Sequence, residues 1–127
     1  MNVELIKNLK VLYVEDEVVL RDTTCCSLNS ILKEVVVAEN GQDGLEKFKN
    51  EEFDLIITDL LMPVMTGTDM IIEIRKENKD IPIIVTTAYG SKNEDIIKLK
   101  DIGIDGYVMK PIDLMKLFQE IDQAITK

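Results

Sequence analysis

Short apolar runs alternate with longer amphipathic segments along the whole chain, and the pattern recurs five times. The apolar runs have the length of strands, whereas apolar residues that recur every three or four positions are typical of helices on a protein surface. The third and fourth runs are apolar nearly throughout, which is typical of strands buried on both faces. The predicted elements are strand Lys10–Glu15, helix Val18–Leu32, strand Glu34–Ala38, helix Gln42–Asn50, strand Phe53–Thr58, helix Thr68–Glu77, strand Ile81–Thr86, helix Asn93–Lys100, strand Asp105–Met109, and a last helix with Leu114, Leu117, Phe118, Ile121 and Ile125 on one face.

Strands that alternate with helices predict an α/β fold in which a parallel sheet is covered by helices on both faces. Right-handed crossovers restrict the topology, and five strands favour the flavodoxin-like order 2-1-3-4-5. At 127 residues, with no internal repeat or linker, the chain is predicted to form one domain.

Net charge and the lengths of the apolar runs exclude several classes of partner. Fifteen basic and 24 acidic residues give a net charge of −9, which repels nucleic acid phosphates, so we expect no direct nucleic acid binding. No apolar run approaches the roughly 20 residues of a membrane-spanning helix. The N-terminus also lacks the features of a signal peptide. These observations predict a cytoplasmic protein without membrane association.

The chain contains no histidine, and its two cysteines, Cys25 and Cys26, are adjacent in a predicted helix. Neighbouring side chains of a helix point in different directions, so a disulfide between them would be strained. A zinc site is equally disfavoured without histidine or CxxC spacing. We expect two small, partly buried thiols, and any chemistry is left to carboxylates, hydroxyls and lysines.

Complementary polar groups follow the predicted strands at their carboxyl ends. Because all carboxyl ends of a parallel sheet lie at one edge, these groups are expected to meet there. For one acidic residue, an ordinary solvent-facing loop position is the better interpretation, but a set of complementary groups at one edge favours a function. The set consists of Glu15 and Asp16 after the first strand, Asp59 after the third, Thr86 and Thr87 at the fourth, and Lys110 and Pro111 after the fifth.

Three carboxylates at one edge require a cation. Two of them about 4 Å apart repel each other by about 1 kcal/mol even in water, and by more in a shielded cleft. A donor set made only of oxygen atoms favours a hard ion, Mg²⁺ or Mn²⁺. Lys110 can offset part of the charge but cannot replace a divalent ion. Glu17 is better explained as an acidic residue favoured by the helix dipole.

Four segments of the chain resemble the receiver domains of bacterial two-component response regulators, including the chemotaxis-regulator type. Each segment alone is a modest signal, but all four occur in order at the predicted strand ends, and the resemblance covers essentially residues 1–127. It implies a single receiver domain. The segments are VEDE at Val14–Glu17, TDLLMPVMTG at Thr58–Gly67, TA at Thr87–Ala88 and DGYVMKP at Asp105–Pro111.

The resemblance implies roles for the acidic residues. Asp59 would be the phosphoacceptor. Asp59, Asp16, Glu15 and the backbone carbonyl of Leu61 would hold Mg²⁺, with Asp16 binding directly and Glu15 through water. A contribution from the carbonyl alone would explain why an apolar side chain is acceptable at Leu61.

The resemblance also implies which residues recognise the phosphoryl group. The Thr87 hydroxyl, the Ala88 backbone and Lys110 would bind its oxygens. Thr87 and Tyr107 would form the switch that responds to phosphorylation. The peptide bond between Lys110 and Pro111 is expected to be cis.

The sequence leaves two assignments open. Thr86 is a rival for the threonine role, although the small residue after Thr87 favours Thr87. Leu61 and Tyr89 are bulky residues near the site that would slow hydrolysis of the acyl phosphate by hindering water, or would simply sit at its rim.

A receiver domain implies specific partners. The donor would be a phosphohistidine on a sensor histidine kinase or phosphotransfer protein, with acetyl phosphate as a small alternative. The domain would catalyse its own phosphorylation and dephosphorylation without being an enzyme that turns over a separate substrate. An unknown downstream effector would bind the face formed by the fourth predicted helix, the fifth strand and the last helix.

Three other classes of protein share some of these sequence features. Haloacid-dehalogenase-type phosphatases also use a nucleophilic aspartate at a strand end, but they need a second aspartate where this chain has Leu61. A nucleotide- or flavin-binding module would need a phosphate-binding loop such as GxxxxGK[ST], which is absent from the sequence. A degenerate receiver that acts only as a protein-interaction module is disfavoured by the intact acidic residues and Lys110.

Overall fold

The computed structural model describes residues 2–88 and 94–126. Strands and helices alternate through the described chain, preceded by one short helix. The elements are α1 (Val3–Lys7), β1 (Lys10–Val14), α2 (Val18–Asn29), β2 (Glu34–Ala38), α3 (Gly41–Asn50), β3 (Leu55–Asp59), α4 (Gly67–Glu77), β4 (Ile83–Thr87), α5 (Glu94–Ile102), β5 (Gly106–Met109) and α6 (Leu114–Ile125).

The five strands form one parallel sheet in the order β2-β1-β3-β4-β5. The predicted α/β fold and strand order are therefore confirmed. Predicted boundaries differ from the observed ones by up to three residues, and α2 ends at Asn29, three positions earlier than predicted. At the site the difference matters because β3 extends to Asp59, which pairs in register with Thr86 of β4.

The sequence did not predict α1. This helix begins at the Asn2 side chain, which accepts a hydrogen bond from the Leu5 N–H at 3.2 Å, and it buries Ile6. The Asn2 N–H also donates to Asp122 of α6 at 2.7 Å. A helix of five residues is too short to show a helical period, which is why its pattern gave no signal.

Each face of the sheet carries its own hydrophobic core. On one face, Leu12 and Ile56 pack with residues of α3, α4 and α5, including Met70. On the other, Tyr13 and Ile57 pack with residues of α1, α2 and α6. Successive strand residues point to opposite faces, so every side chain of β3 and β4 is buried. This explains why those two runs are apolar nearly throughout.

Besides α1, three further helices have first turns that are capped by the side chain preceding them. Asn40 accepts from the Asp43 N–H at the start of α3, and Thr66 accepts from the Asp69 N–H at the start of α4. Asp113 accepts from the first turn of α6. Each cap satisfies a backbone donor that the helix itself cannot pair, so the helix starts are fixed close to the strand ends.

The cysteines are both free, as expected. Cys25 is half-buried, whereas Cys26 is exposed, so the expectation of partial burial is wrong for Cys26. Across the described ranges, no helix combines the length and apolarity needed to cross a bilayer.

Candidate functional site

The carboxyl edge of the sheet brings the three predicted acidic residues together. One carboxylate oxygen each from Glu15, Asp16 and Asp59 lies within 4.8 Å of the others. Glu15 is only 1% exposed and Asp59 only 8%, whereas Asp16 reaches solvent. Two largely buried carboxylates thus face one that is open to solvent.

Glu15 is held at both its backbone and its carboxylate. Its N–H donates to the Ala38 carbonyl at 3.0 Å, and its carbonyl accepts from the Arg21 guanidinium at 3.0 Å. Its two carboxylate oxygens accept from the Lys110 ammonium at 2.9 Å and from the Glu17 N–H at 3.1 Å. Such a fully bonded carboxylate cannot swing toward an incoming ligand without losing these contacts.

Asp59 is held just as firmly at the end of β3. Its Oδ1 accepts from the Leu60 N–H at 2.8 Å, and its Oδ2 accepts from the Lys110 ammonium at 2.9 Å. The Thr58 hydroxyl donates to the Asp59 carbonyl at 2.8 Å. Gly67 packs against that same carbonyl so closely that a Cβ there would overlap it. The glycine is therefore required by a close approach of two backbone segments.

The loop after Asp59 alternates buried and exposed side chains. Leu60 and Met62 are buried, whereas Leu61 between them is 55% exposed. The Met65 carbonyl accepts from the Gly41 N–H at 3.0 Å, which ties the loop to the start of α3. With its side chain directed outward, Leu61 has only its backbone to offer the site, in keeping with the predicted role of its carbonyl.

Both candidate threonines are buried at the end of β4. Thr86 is the register partner of Asp59, and no other residue of the described ranges forms a hydrogen bond with its hydroxyl. Thr87 follows it, 1% exposed, and its carbonyl accepts from the Lys110 N–H at 2.7 Å. Thr87 is thus tied directly to the strand end that carries Lys110, and Ala88 after it is exposed.

Lys110 is the cation of the site, and the peptide bond between it and Pro111 is cis. Its ammonium contacts Glu15 and Asp59 at the same distance, 2.9 Å. Burial alone would lower the pKa of Lys110, but hydrogen bonds to Asp59 and Glu15 outweigh burial and raise it. Burial raises the pKa of Glu15, although Lys110 and the Glu17 N–H act in the opposite direction.

The donor set fits a hard divalent cation. All three acidic side chains offer oxygen, and the single ammonium of Lys110 leaves their combined charge uncompensated. Both Glu15 oxygens already accept hydrogen bonds from the protein, whereas Asp16 is open to solvent. Both Asp59 oxygens are bonded as well, so Asp16 is the member of the trio that can bind a cation without losing a hydrogen bond to the protein.

Tyr107 lies on the edge strand β5 and is half-buried, packed against the core on the α4 and α5 side. The Lys100 ammonium of α5 lies 5.4 Å from the centroid of its ring, a cation–π arrangement. Ile97 and Met109 nearby are 51% and 44% exposed. Tyr89, predicted to lie near the site, falls outside the described residues.

Sequence reasoning missed Arg21 as a part of the site. Its target is a backbone carbonyl, an acceptor that every residue carries and that no sequence pattern marks. The available signal was its position in the first turns of the helix that follows the acidic pair.

The chain matches known proteins over nearly its whole length. The family model for the response regulator receiver domain matches residues 11–122. A probable transcriptional regulator, ycf27, of Cyanophora paradoxa is 38% identical, with 96% of this chain covered and 50% of the relative. The transcriptional regulatory protein GlrR of Escherichia coli is 35% identical, with 94% of this chain covered and 27% of the relative. The chain therefore spans about half of one relative and about a quarter of the other.

Solved structures give the same family. The chemotaxis response regulator CheY4 of Vibrio cholerae is similar with a TM-score of 0.83 and 29% identity, over 92% of this chain and 98% of that one. The response regulator TrrA of Thermotoga maritima, solved in complex with Mg²⁺-BeF, has a TM-score of 0.78 and 32% identity, over 91% of this chain and 97% of that one. This chain belongs to the response regulator receiver domain family.

Proposed function

We propose that residues 1–127 form a single receiver domain that accepts a phosphoryl group on Asp59 in a Mg²⁺-dependent reaction. The donor is a phosphohistidine on a sensor histidine kinase or phosphotransfer protein. One observation carries the proposal: the Lys110 ammonium lies 2.9 Å from both Asp59 and Glu15, beside the open carboxylate of Asp16. This arrangement combines a nucleophile, a cation and an acidic site for a metal ion at one edge of the sheet.

Asp59 is the nucleophile of the proposed reaction. An oxygen of its carboxylate attacks the phosphorus atom, and the bond between phosphorus and the donor nitrogen breaks as the new bond forms. The Leu60 N–H and the contacts around the Asp59 carbonyl hold the residue in place during the attack. Lys110 transfers its hydrogen bond from Asp59 to a phosphoryl oxygen and stabilises the charge that collects there.

The acidic residues hold the metal ion of the proposal. Asp16 and Asp59 bind it with the Leu61 carbonyl, and Glu15 contributes through water. Mg²⁺, or Mn²⁺ in its place, supplies positive charge for the phosphoryl oxygens when bound. The similarity to TrrA, which was solved with Mg²⁺-BeF, supports this assignment.

The end of β4 recognises the phosphoryl group, and the conformational response is transmitted to β5. The Thr87 hydroxyl and the Ala88 N–H bind its oxygens, and Tyr107 responds to the movement of Thr87. The effector binds the face formed by α5, β5 and α6, where Ile97 and Met109 are exposed hydrophobic residues. Water resets the domain by hydrolysing the acyl phosphate.

Mass spectrometry after incubation with acetyl phosphate and Mg²⁺ tests the proposal. The wild-type protein is expected to gain the mass of one phosphoryl group, and Asp59→Ala to gain none. Asp54→Ala is the matched control, because Asp54 directly precedes β3, at the end opposite to Asp59, and within the described part of the chain its carboxylate accepts from the Lys10 N–H alone. It is expected to be labelled like the wild type. If neither acetyl phosphate nor a phosphorylated kinase modified the wild-type protein, the phosphoacceptor function would be refuted. The remaining interpretation would be a degenerate receiver that acts only as a protein-interaction module.

A further inference from the structure

The guanidinium of Arg21 binds a backbone carbonyl rather than a carboxylate. Arg21 lies in the first turns of α2, half-buried, and its guanidinium donates to the Glu15 carbonyl at 3.0 Å. Within residues 2–88 and 94–126 it forms no ion pair. A charged side chain near the site is thus committed to one backbone oxygen.

That oxygen controls the direction of Asp16. The Glu15 carbonyl and the N and Cα atoms of Asp16 belong to one planar peptide unit, so fixing the oxygen fixes the Cα from which the Asp16 side chain projects. The Glu15 N–H is already fixed by Ala38. Without the guanidinium, the unit could rotate about the bonds that flank it.

Asp16 has little else to hold it. Its neighbour Glu15 has both carboxylate oxygens bonded, whereas no donor in the described part of the chain bonds the Asp16 carboxylate. A metal ligand that is not held by its own hydrogen bonds must be oriented by its backbone. Residues that orient metal ligands in this way contribute strongly to affinity.

We propose that Arg21 is a positioning residue for the cation site, and that it acts by fixing the peptide unit that directs the Asp16 carboxylate. The inference rests on the proposed Mg²⁺ site and assigns this residue a part in it. Arg21 touches neither the phosphoryl group nor the ion.

The sign of the effect distinguishes positioning from electrostatics. Removing a positive charge near the site would strengthen Mg²⁺ binding if Arg21 acted only through its charge. If Arg21 positions Asp16, removing it weakens binding despite the gain in negative potential. Arg21→Gln is therefore expected to raise the Mg²⁺ dissociation constant by about tenfold. Arg21→Lys keeps the positive charge and a hydrogen-bond donor. Its Mg²⁺ dissociation constant is expected to lie between that of the wild type and that of Arg21→Gln.

Isothermal titration with MgCl₂, on protein shown to be folded by circular dichroism at the same temperature, measures this constant. A purely structural role would lower the melting temperature of the metal-free Arg21→Gln variant and leave the dissociation constant of the folded protein unchanged. The exposed Lys33 provides the matched control. It directly precedes β2, at the amino edge of the sheet, so Lys33→Gln removes one positive charge at the edge opposite to Glu15, Asp16 and Asp59. It is expected to bind Mg²⁺ as the wild type does, or slightly more tightly.

The outcomes separate the two proposals. No Mg²⁺ binding by the wild type would refute the metal site and thus the proposed function. Mg²⁺ binding by the wild type together with equal or tighter binding by Arg21→Gln would overturn the positioning role and leave the metal site intact. Weaker binding by Arg21→Gln, with Lys33→Gln unchanged, would support positioning.

Discussion

The parallel strands all begin at one side of the sheet, the amino edge, and all end at the other, the carboxyl edge. Both of these edges carry largely buried charges, but they differ in how the charges are compensated. At the amino edge, Arg75 of α4 is 10% exposed and donates to the carbonyls of Gly103 and Ile81 at 2.6 and 2.7 Å. Asp105 lies 3.4 Å from it and also accepts from the Ile83 N–H. One cation and one carboxylate meet there, and backbone groups complete their hydrogen bonds.

The carboxyl edge has the opposite balance. Glu15 and Asp59 share the single ammonium of Lys110, and Asp16 adds a third carboxylate. Buried charges stabilise a fold only when partners compensate for the lost solvation. The amino edge meets that condition and has the features of a structural brace. The carboxyl edge does not, and this deficit of positive charge suits it to bind a cation.

The largest expected effect is a loss of stability when Arg75 at the amino edge is replaced. Arg75→Met leaves the Gly103 and Ile81 carbonyls and Asp105 without their shared donor, so we expect the free energy of unfolding to fall by about 3 kcal/mol. Urea denaturation measures the change. The neighbouring Lys76→Met, which removes an exposed ion pair with Glu73, is expected to change it by less than about 0.5 kcal/mol. Equal effects of the two substitutions would contradict the role of Arg75.

A smaller effect of opposite sign at the two edges would sharpen the comparison. In metal-free buffer, Asp59→Asn removes one of three crowded carboxylates and is expected to stabilise the protein by about 1 kcal/mol. Asp105→Asn is the matched substitution at the amino edge, and it is expected to destabilise by a similar amount because the ion pair with Arg75 is lost. Thermal melts of both variants provide the test. A destabilised Asp59→Asn variant would contradict the crowding of the carboxyl edge.

The smallest expected effect is a pH dependence. Burial raises the pKa of Glu15 in the folded protein, so ionised Glu15 lowers stability above that pKa, and this penalty disappears as the pH falls through it. Glu15→Gln is therefore expected to raise the metal-free melting temperature at pH 7, by less than Asp59→Asn does, and to lose this advantage as the pH falls below the ordinary pKa of a glutamate. The exposed Glu52→Gln serves as control. A gain that stayed constant with pH would show that titration of Glu15 is not its cause.

The sequence predicted the sheet because strands and helices differ in period, and because parallel strands share one carboxyl edge. From these facts alone, Glu15, Asp59 and Lys110 were expected together, and in the structure the Lys110 ammonium donates hydrogen bonds to both carboxylates. The assignment of their roles remains a proposal. It rests on the family of the chain and on this geometry.

What the sequence could not predict depends on backbone atoms. Arg21 binds a carbonyl, and Gly67 packs against the Asp59 carbonyl, but backbone acceptors are the same for every residue type. The short helix α1 depends on one cap at Asn2 and one buried side chain, Ile6. These features depend on how segments distant in sequence approach each other. The periodicity of apolar residues does not predict such approaches.

The close fit of Gly67 against the backbone of Asp59 has a consequence for partner choice. The proposed acceptor cannot move outward to meet a donor, because its carbonyl is confined by α4 and its carboxylate is bonded on both oxygens. Every donor must therefore bring its phosphorus to the same point in space. Discrimination among kinases then falls to the surrounding surface, where substitutions can change which donor is admitted while the reaction itself stays the same.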